Sequence, residues 1–410
     1  MDNPSNIPAF LRDKPAAKAD AAGRATILQI IPELETGGAE LSTIEIADAV
    51  VRAGGRAIVI SEGGRLVEAL KTVGGEFRFM EAASKNPAKI LKNARLIAKL
   101  CGEEGVDLIH ARSRAPAWSA QIASKSARLP FVTTYHGAYN EKGRIKKWYN
   151  SIMASGDVVI ANSKYTRDLV KSRYDTPDAK LRVIYRGVDG TVFDPDAIEP
   201  DRVLALLAAW GLTSDDRVIL NAARLTSWKG QTVLIQAAKL LKDRGALQGC
   251  KMVLAGDAQG RSDYVEGLKA QIAAAGLNDV VVFAGHVSDI PAALKLAHVA
   301  VVASTEPEAF GRAAAEAQTM RCPVVATDIG APPETVLSHP AVPDYVATGW
   351  LVPPSEPGAM AGAIAAALGL DAAGRTAMGQ RARAHVLSSF SLNAMKQQTL
   401  AVYDGLLGTK

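Results

Sequence analysis

Cysteine is scarce, with three residues in a chain of 410. Cys101, Cys250 and Cys322 are scattered, form no CxxC pair, and lie in or beside apolar segments. That pattern excludes a disulfide-stapled scaffold and a cysteine zinc site. The three read as buried small hydrophobes in a reducing cytoplasm. No other metal-ligand spacing occurs, so no metal is expected. Aromatic residues make up only 5% of the chain, and no basic stripe with interleaved aromatics dominates it. Nucleic acid is therefore not expected as a partner. No run of 18 apolar residues exists, so no segment is predicted to span a membrane. The N-terminus, MDNPSNIPAFLRDKPAAKADAAGR, has no apolar h-region and does not read as a secretory signal. Residues 1–24 are expected as a flexible tail. The GxGxxG fingerprint of dinucleotide-binding folds is also missing, which disfavours an NAD-dependent dehydrogenase.

What is present is globular. Hydrophobic residues are 48% and charged residues 22%, with a net charge of +5. A mildly basic chain suits nucleotide or phosphate ligands, or an anionic membrane surface. The length exceeds one ordinary core and predicts two domains. Short apolar runs alternate with helical patterns. Strands are expected at Thr26–Ile31, Ala57–Ile60, Phe77–Phe79, Leu108–His110, Phe131–Tyr135, Val158–Ala161 and Leu181–Tyr185. Helices include Leu41–Ala53, Pro87–Cys101 and Ala115–Ala127. A second series has strands at Val218–Ala223, Met252–Ala255, Val280–Phe283, Val299–Ala303, Val324–Ala326 and Gly349–Val352. Helices follow at Pro291–Leu296, Glu356–Leu368 and Thr376–Leu407. Repeated βα units predict parallel sheets covered by helices on both faces. Tyr185–Pro195, YRGVDGTVFDP, breaks the rhythm and reads as the crossing between domains. Its Asp194-Pro195-Asp196 has the form of a carboxylate metal motif, but its place in a linker makes it a turn.

Several loops at strand ends carry polar residues suited to a ligand. In the first half, Gly37 and Gly38 sit between a strand and a helix, where glycine lets a backbone approach a phosphate closely. A plain turn is the alternative there. His136 follows a strand directly and precedes Gly137. Tyr139–Met153, YNEKGRIKKWYNSIM, interleaves Lys142, Arg144, Lys146 and Lys147 with Tyr139, Ile145, Trp148 and Tyr149. Such a segment can lie on an anionic membrane; the alternative is a solvated helix face with Trp148 packed inward.

The second half is organised around Ser304–Thr327, a polar loop and Ala-rich helix between two apolar strands. Glu308 sits in the loop, Phe310, Gly311 and Arg312 make the turn, and Glu316 sits on the helix. A helix start offers free N–H groups and a positive dipole end, which suits a phosphorylated ligand. The two glutamates are placed to accept hydrogen bonds from hydroxyls. In the loop RLTSWKG, Arg224 and Lys229 supply a bidentate guanidinium and a mobile ammonium, suited to neutralise a departing diphosphate. The loop Gly256–Gly260 follows the next strand.

Taken together, RLTSWKG, LAGDAQG, FAGHVSDI, the spaced Glu308 and Glu316, and VVATDIGAPPE resemble the retaining GT-B glycosyltransferases of family 4. GGAE, TYHG and IYRGVDGTVFDP look like the same family. The resemblance covers roughly residues 25–390 and rests on several motifs in the correct order. It implies two Rossmann-like domains facing across a cleft, with an acceptor domain over 25–190 and a donor domain over 191–380. Residues 381–410 would cross back to the N-terminal domain. Glu308 would contact the donor sugar and Glu316 the ribose. Arg224 and Lys229 would grip the diphosphate, and Gly38 would approach it from the other domain. Gly37, Gly256, Asp257, Phe310 and Gly311 would complete the donor site, and His136 would lie near the reacting sugar. Ala315, just before Glu316, stands where many relatives carry a larger apolar residue, a difference of packing.

The activity this implies is metal-independent transfer of a sugar from a UDP-, GDP- or ADP-linked donor, with no separate cofactor. The acceptor would be a cell-envelope glycan or glycolipid, such as a lipopolysaccharide core or a polysaccharide precursor. The enzyme would be cytoplasmic, peripheral at the inner membrane through Tyr139–Met153. Two alternatives stand beside it: a hydrolysing nucleotide-sugar 2-epimerase on the same fold, and a non-catalytic GT-B subunit. The second would have lost donor-site residues, yet Arg224, Lys229, Glu308 and Glu316 are all present.

Overall fold

The computed structural model describes residues 25–408 apart from Thr36, Asn140 and Lys142. The expected N-terminal tail and the membrane-segment residue Lys142 lie outside the described residues. The chain divides into two compact units, one running to Gly187 and resuming at Leu392, the other Val188–Ser391.

The first unit holds a seven-stranded sheet. Its strands are β1 (Thr26–Ile30), β2 (Arg56–Ser61), β3 (Glu76–Phe79), β4 (Leu108–Ala111), β5 (Phe131–Tyr135), β6 (Val158–Ala161) and β7 (Leu181–Val183). The order is β3-β2-β1-β4-β5-β6-β7, and every pairing is parallel. The short apolar runs become strands because both faces of the sheet are covered. Leu28, Ile30, Ile58 and Ile60 belong to one core cluster, whereas Ile27, Val59, Leu108 and Val132 belong to another. Alternate side chains thus fill two cores on opposite faces.

The second unit holds β8 (Arg217–Ala222), β9 (Cys250–Ala255), β10 (Val281–Gly285), β11 (Ala297–Val302), β12 (Val324–Thr327) and β13 (Trp350–Val352). These form a parallel sheet in the order β10-β9-β8-β11-β12-β13. Strand order reverses between β1 and β4 in the first sheet and between β8 and β11 in the second. In open α/β sheets the loops at such a reversal diverge and leave room for a ligand beyond the carboxyl ends.

Two features depart from the sequence expectation. The helix Pro200–Trp210 was not foreseen, although its punctuation was there: Pro200 opens it and Gly211 closes it at φ +66°. Arg202 fixes it by a bidentate pair to Asp289 at 2.7 and 2.8 Å. The expected single helix Thr376–Leu407 is two helices, Ala372–Ser389 and Leu392–Leu407. Residue 381 falls inside the first of these, which stays with the second unit. The chain passes to the first unit only after Ser391. The break falls at Phe390, whose backbone leaves the helical region at φ −135° and ψ 34° and whose ring packs on Phe310 and His385. The last helix is then held to the first unit by Lys396–Asp48 at 2.6 Å and by Tyr403, whose hydroxyl meets His110 Nδ1 at 2.6 Å.

All three cysteines are free and buried, and desolvation pushes the Cys101 and Cys322 thiols up to about 12. Asp194 caps a short turn, and Asp196 is paired with Arg321 at 2.7 Å, so the Asp-Pro-Asp sequence is a linker turn. No single helix among the described residues is long and apolar enough to cross a membrane.

Candidate active site

The second unit brings its predicted residues together at the β8/β11 reversal. Lys229 ends a single 3-10 turn after β8, and Gly230 follows at φ +71°. A Cβ on Gly230 would collide with the Ala303 carbonyl at the end of β11. Only glycine therefore lets the two loops touch here. Thr305 N–H donates to the Trp228 carbonyl at 2.8 Å, fastening one loop to the other. Lys229 Nζ then forms an ion pair with Glu308, with both side chains about 15% exposed at 16% and 13%. Ser304 Oγ donates to the same carboxylate oxygen at 2.5 Å, and Lys229 Nζ lies 4.2 Å from the Trp228 ring centre. The Glu308 backbone is bridged to Gly330. Gly330 sits at φ +86° with no room for a Cβ against the Glu308 main chain.

Gly311, at φ +79°, opens the helix Arg312–Thr319. Glu316 is already partnered, accepting from Arg312 Nε at 2.8 Å, one helical turn earlier. Phe310 is 2% exposed and packs on Phe390 with ring centres 5.7 Å apart. Its ring is therefore core, which leaves only its main chain to the loop. Arg224 is exposed at the end of β8. Gly256 lets the loop after β9 pass against the Ala223 carbonyl. Asp257 is turned onto its own loop, accepting from Gln259 N–H at 2.9 Å. A cavity of about 520 Å³ adjoins this region, lined by Thr226, Trp228, Arg261, Ser262, Asp263 and Tyr264 among others.

In the first unit, Gly37 caps the helix Gly38–Arg52 after β1. The space a Cβ on Gly38 would need is filled by the Arg186 guanidinium. Glycine at 38 thus has a cause inside the chain: the loop must clear an arginine arriving from the residues after β7. Arg186 Nη2 lies 3.0 Å from His136 Nδ1. Burial, and then the Arg186 and Arg112 charges, hold the His136 imidazole well below the usual range and so neutral. Arg112, beyond β4, is 3% exposed and donates from Nε to Gln29 at 2.8 Å. Asn162, beyond β6, is 1% exposed. Buried atoms with no hydrogen-bond partner include Arg112 Nη2, His136 Nε2 and both polar atoms of the Asn162 amide. Sequence reading missed Arg112, Asn162 and Arg186. Each stands one to three residues past a strand, a position that would have singled them out had β4, β6 and β7 been searched as His136 was.

The basic segment forms the helix Arg144–Ser151. Trp148 does not pack inward: it is 62% exposed and leans on Trp118 at 4.6 Å, and Ile145 is 84% exposed. Arg144, Lys146 and Lys147 are exposed beside them. Among the described residues no group of three His, Cys, Asp or Glu side chains is arranged to hold a metal ion.

Comparison with known proteins agrees with this architecture. Residues 36–191 match the family model described as Glycosyltransferase Family 4, and residues 205–385 match Glycosyl transferases group 1. The chain is 29% identical over 269 residues to an uncharacterized glycosyltransferase of Methanocaldococcus jannaschii, spanning 61% of this chain and 66% of that protein. It is 33% identical over 260 residues to the D-inositol 3-phosphate glycosyltransferase of Kineococcus radiotolerans, spanning 62% of this chain and 58% of the relative. Among solved structures, a glycosyltransferase from Rickettsia africae is 37% identical with a TM-score of 0.84, covering 94% of this chain and all of that one. Anabaena HepE, solved with UDP and glucose, is 26% identical with a TM-score of 0.79, covering 93% of this chain and 100% of its own. Two parallel-sheet Rossmann-like units, strand-end loops at each reversal and these likenesses agree: the chain belongs to the glycosyltransferases, with a family 4 domain ahead of a group 1 domain on a GT-B frame.

Proposed function

We propose that this enzyme moves a sugar, with retention of anomeric configuration and without metal, from a nucleoside-diphosphate sugar to a cell-envelope glycan or glycolipid. The carrying observation is the Lys229–Glu308 pair at the strand reversal of the second sheet, beside Arg224 and the start of the helix Arg312–Thr319. Glycosyl transfer passes through an oxocarbenium-like state, and its leaving group is a diphosphate. Lys229 and Arg224 neutralise the charge that develops there, and the helix N-terminus adds its dipole. Glu308 receives hydroxyls of the donor sugar, and Glu316 those of the ribose. Within the second unit, Gly256, Asp257 and the main chain of Phe310 and Gly311 shape the donor site. The reaction proceeds by front-face attack, with the departing diphosphate taking the acceptor proton. UDP is the first donor nucleotide to test, since HepE was solved with UDP and with UDP-glucose.

The exposed Ile145 and Trp148 among Arg144, Lys146 and Lys147 support an anionic membrane as the place of work, on the cytoplasmic side. A second acceptor reading, a phosphorylated polyol, is favoured by the D-inositol 3-phosphate glycosyltransferases among the relatives. It also draws on the cationic Arg112 and Arg186 beyond the first sheet.

A thermal-shift panel of UDP-, GDP- and ADP-sugars tests the donor reading, because a ligand bound only by the folded state raises its stability. Stabilisation by one nucleotide series is expected. Acceptor panels with lipid-linked sugars and with inositol phosphate then separate the two acceptors. Release of free sugar without any acceptor would instead support the epimerase chemistry.

A further inference from the structure

Arginine carries only donors and keeps its proton in proteins. Where Arg186 Nη2 lies 3.0 Å from His136 Nδ1, the imidazole nitrogen must therefore be the acceptor. A neutral imidazole that offers a lone pair at Nδ1 carries its proton at Nε2. That nitrogen is buried and has no hydrogen-bond partner. Among the charged and titratable groups, Arg186, Arg112 and His110 act on this ring, and the first two disfavour a second proton. Tyr139 hydrogen-bonds the His136 main chain. Among the described residues, the effects that set the state of the imidazole ring are burial and the two arginine charges, and each lowers its basicity. Arg186 is itself held in a fixed lane, since the Gly38 backbone leaves the space its guanidinium fills. The neighbouring strand repeats the pattern. Tyr135 pairs with Ala161, so His136 and Asn162 step off their strands together, and the Asn162 amide is also buried without a partner.

We propose that Arg186 is a positioning residue that fixes His136 in its Nε2–H tautomer, so that the first unit presents a neutral N–H donor, and not a base, to an oxygen of the bound substrate. The inference rests on the glycosyl-transfer reading only for the identity of that substrate. The oxygen belongs either to a hydroxyl of the donor sugar or to a phosphate. In either case His136 takes no proton from the acceptor, which leaves that role to the departing diphosphate.

Nitrogen-15 labelling of histidine reads the tautomer directly. The chain has six histidines, and His136→Gln assigns the signal. A protonated Nε2 and an unprotonated Nδ1, unchanged between pH 8 and 6, are expected in the intact protein. A protonated Nδ1 would overturn the proposal without any variant. Arg186→Met should release the ring to mixed tautomers and lower turnover about 100-fold through misplacement. Arg186→Lys, which still donates, should restore the tautomer. An unchanged His136 signal in Arg186→Met would overturn the positioning role. Three additions locate the oxygen: inorganic phosphate, UDP and UDP-glucose. A shift of the Nε2 signal by UDP-glucose alone identifies a sugar hydroxyl, and a shift by UDP or phosphate identifies a phosphate. No shift with any of them, under conditions where UDP-glucose stabilises the fold, refutes the substrate contact. Failure of the glycosyl-transfer reading would look different: no nucleotide sugar would stabilise the protein, yet the tautomer would remain.

Discussion

Glu308→Gln offers a test with an unusual sign. Without ligand, the Lys229 ammonium is taken up by the Glu308 carboxylate, and both groups lie largely out of water. A donor diphosphate must draw that ammonium away. With carboxylate or amide the bond is charge-assisted by the ammonium, but only the carboxylate adds a charge–charge attraction, which for a pair at about 4 Å runs from about 1 kcal/mol in water to about 4 kcal/mol near a protein surface before desolvation is subtracted. Replacing the carboxylate by an amide keeps an acceptor for Ser304 Oγ, which donates at 2.5 Å, but weakens the hold on Lys229. The difference, about 1–2 kcal/mol, becomes available to the diphosphate and corresponds to roughly 5–30-fold tighter binding. Titration calorimetry with the free nucleoside diphosphate that stabilises the native enzyme should show this gain, while sugar transfer falls because the sugar loses its carboxylate. In a Lys229→Met background the gain should vanish, since the cation that moves between partners is gone. Equal or weaker nucleotide binding by Glu308→Gln would refute the competition, and with it the assignment of Lys229 to the diphosphate.

Gly330→Ala should be strongly destabilising to the site. Its φ of +86° and the adjacent Glu308 main chain leave no place for a methyl group. Nucleotide binding should fall with a lower melting temperature, and a melting curve and affinity matching the native protein would count against the packing argument. Stability should also decline as pH falls below about 6.5. Burial holds His110 and His136 well below their ordinary range, so the unfolded chain takes up protons first. Each such histidine adds a slope of about 1.4 kcal/mol per pH unit between the unfolded and folded values. Denaturant melts from pH 7.5 to 5.5 read it, and a flat profile would contradict it. Replacing Lys142, Arg144, Lys146 and Lys147 with Ser should weaken sedimentation with vesicles containing anionic lipid, and Trp148→Ser should weaken it at high salt as well. Unaltered sedimentation would leave the helix as an ordinary solvated face.

The architecture was legible in the chain because it depends on local signals. Runs such as TILQI and VVIA are apolar on both faces, so they become strands only in a parallel sheet covered on both sides. The βα alternation then fixes two such sheets. The placement of the candidate residues was legible for a related reason. Arg224, Lys229 and Glu308 stand in loops that follow strands, Glu316 lies on the helix that continues from one of those loops, and a strand end in a parallel sheet is where ligands collect. Even the unforeseen helix Pro200–Trp210 carried its Pro and Gly markers.

What the chain by itself did not reveal is which side chains meet. Gly38 reads equally as a phosphate approach or a turn. Only tertiary structure shows that Arg186, distant in sequence, fills the space its missing side chain leaves. Phe310 reads as part of a ligand loop, but its ring is core, paired with Phe390 across the unit. Lys229 and Glu308 each suggest a ligand, and their pairing depends on β8 and β11 being neighbours at the point of strand reversal. Periodicity and strand-end position are properties of a short segment, fixed by backbone geometry and burial. Partnerships between segments depend on strand order and on the volumes left between loops, and those are settled only when the sheets assemble.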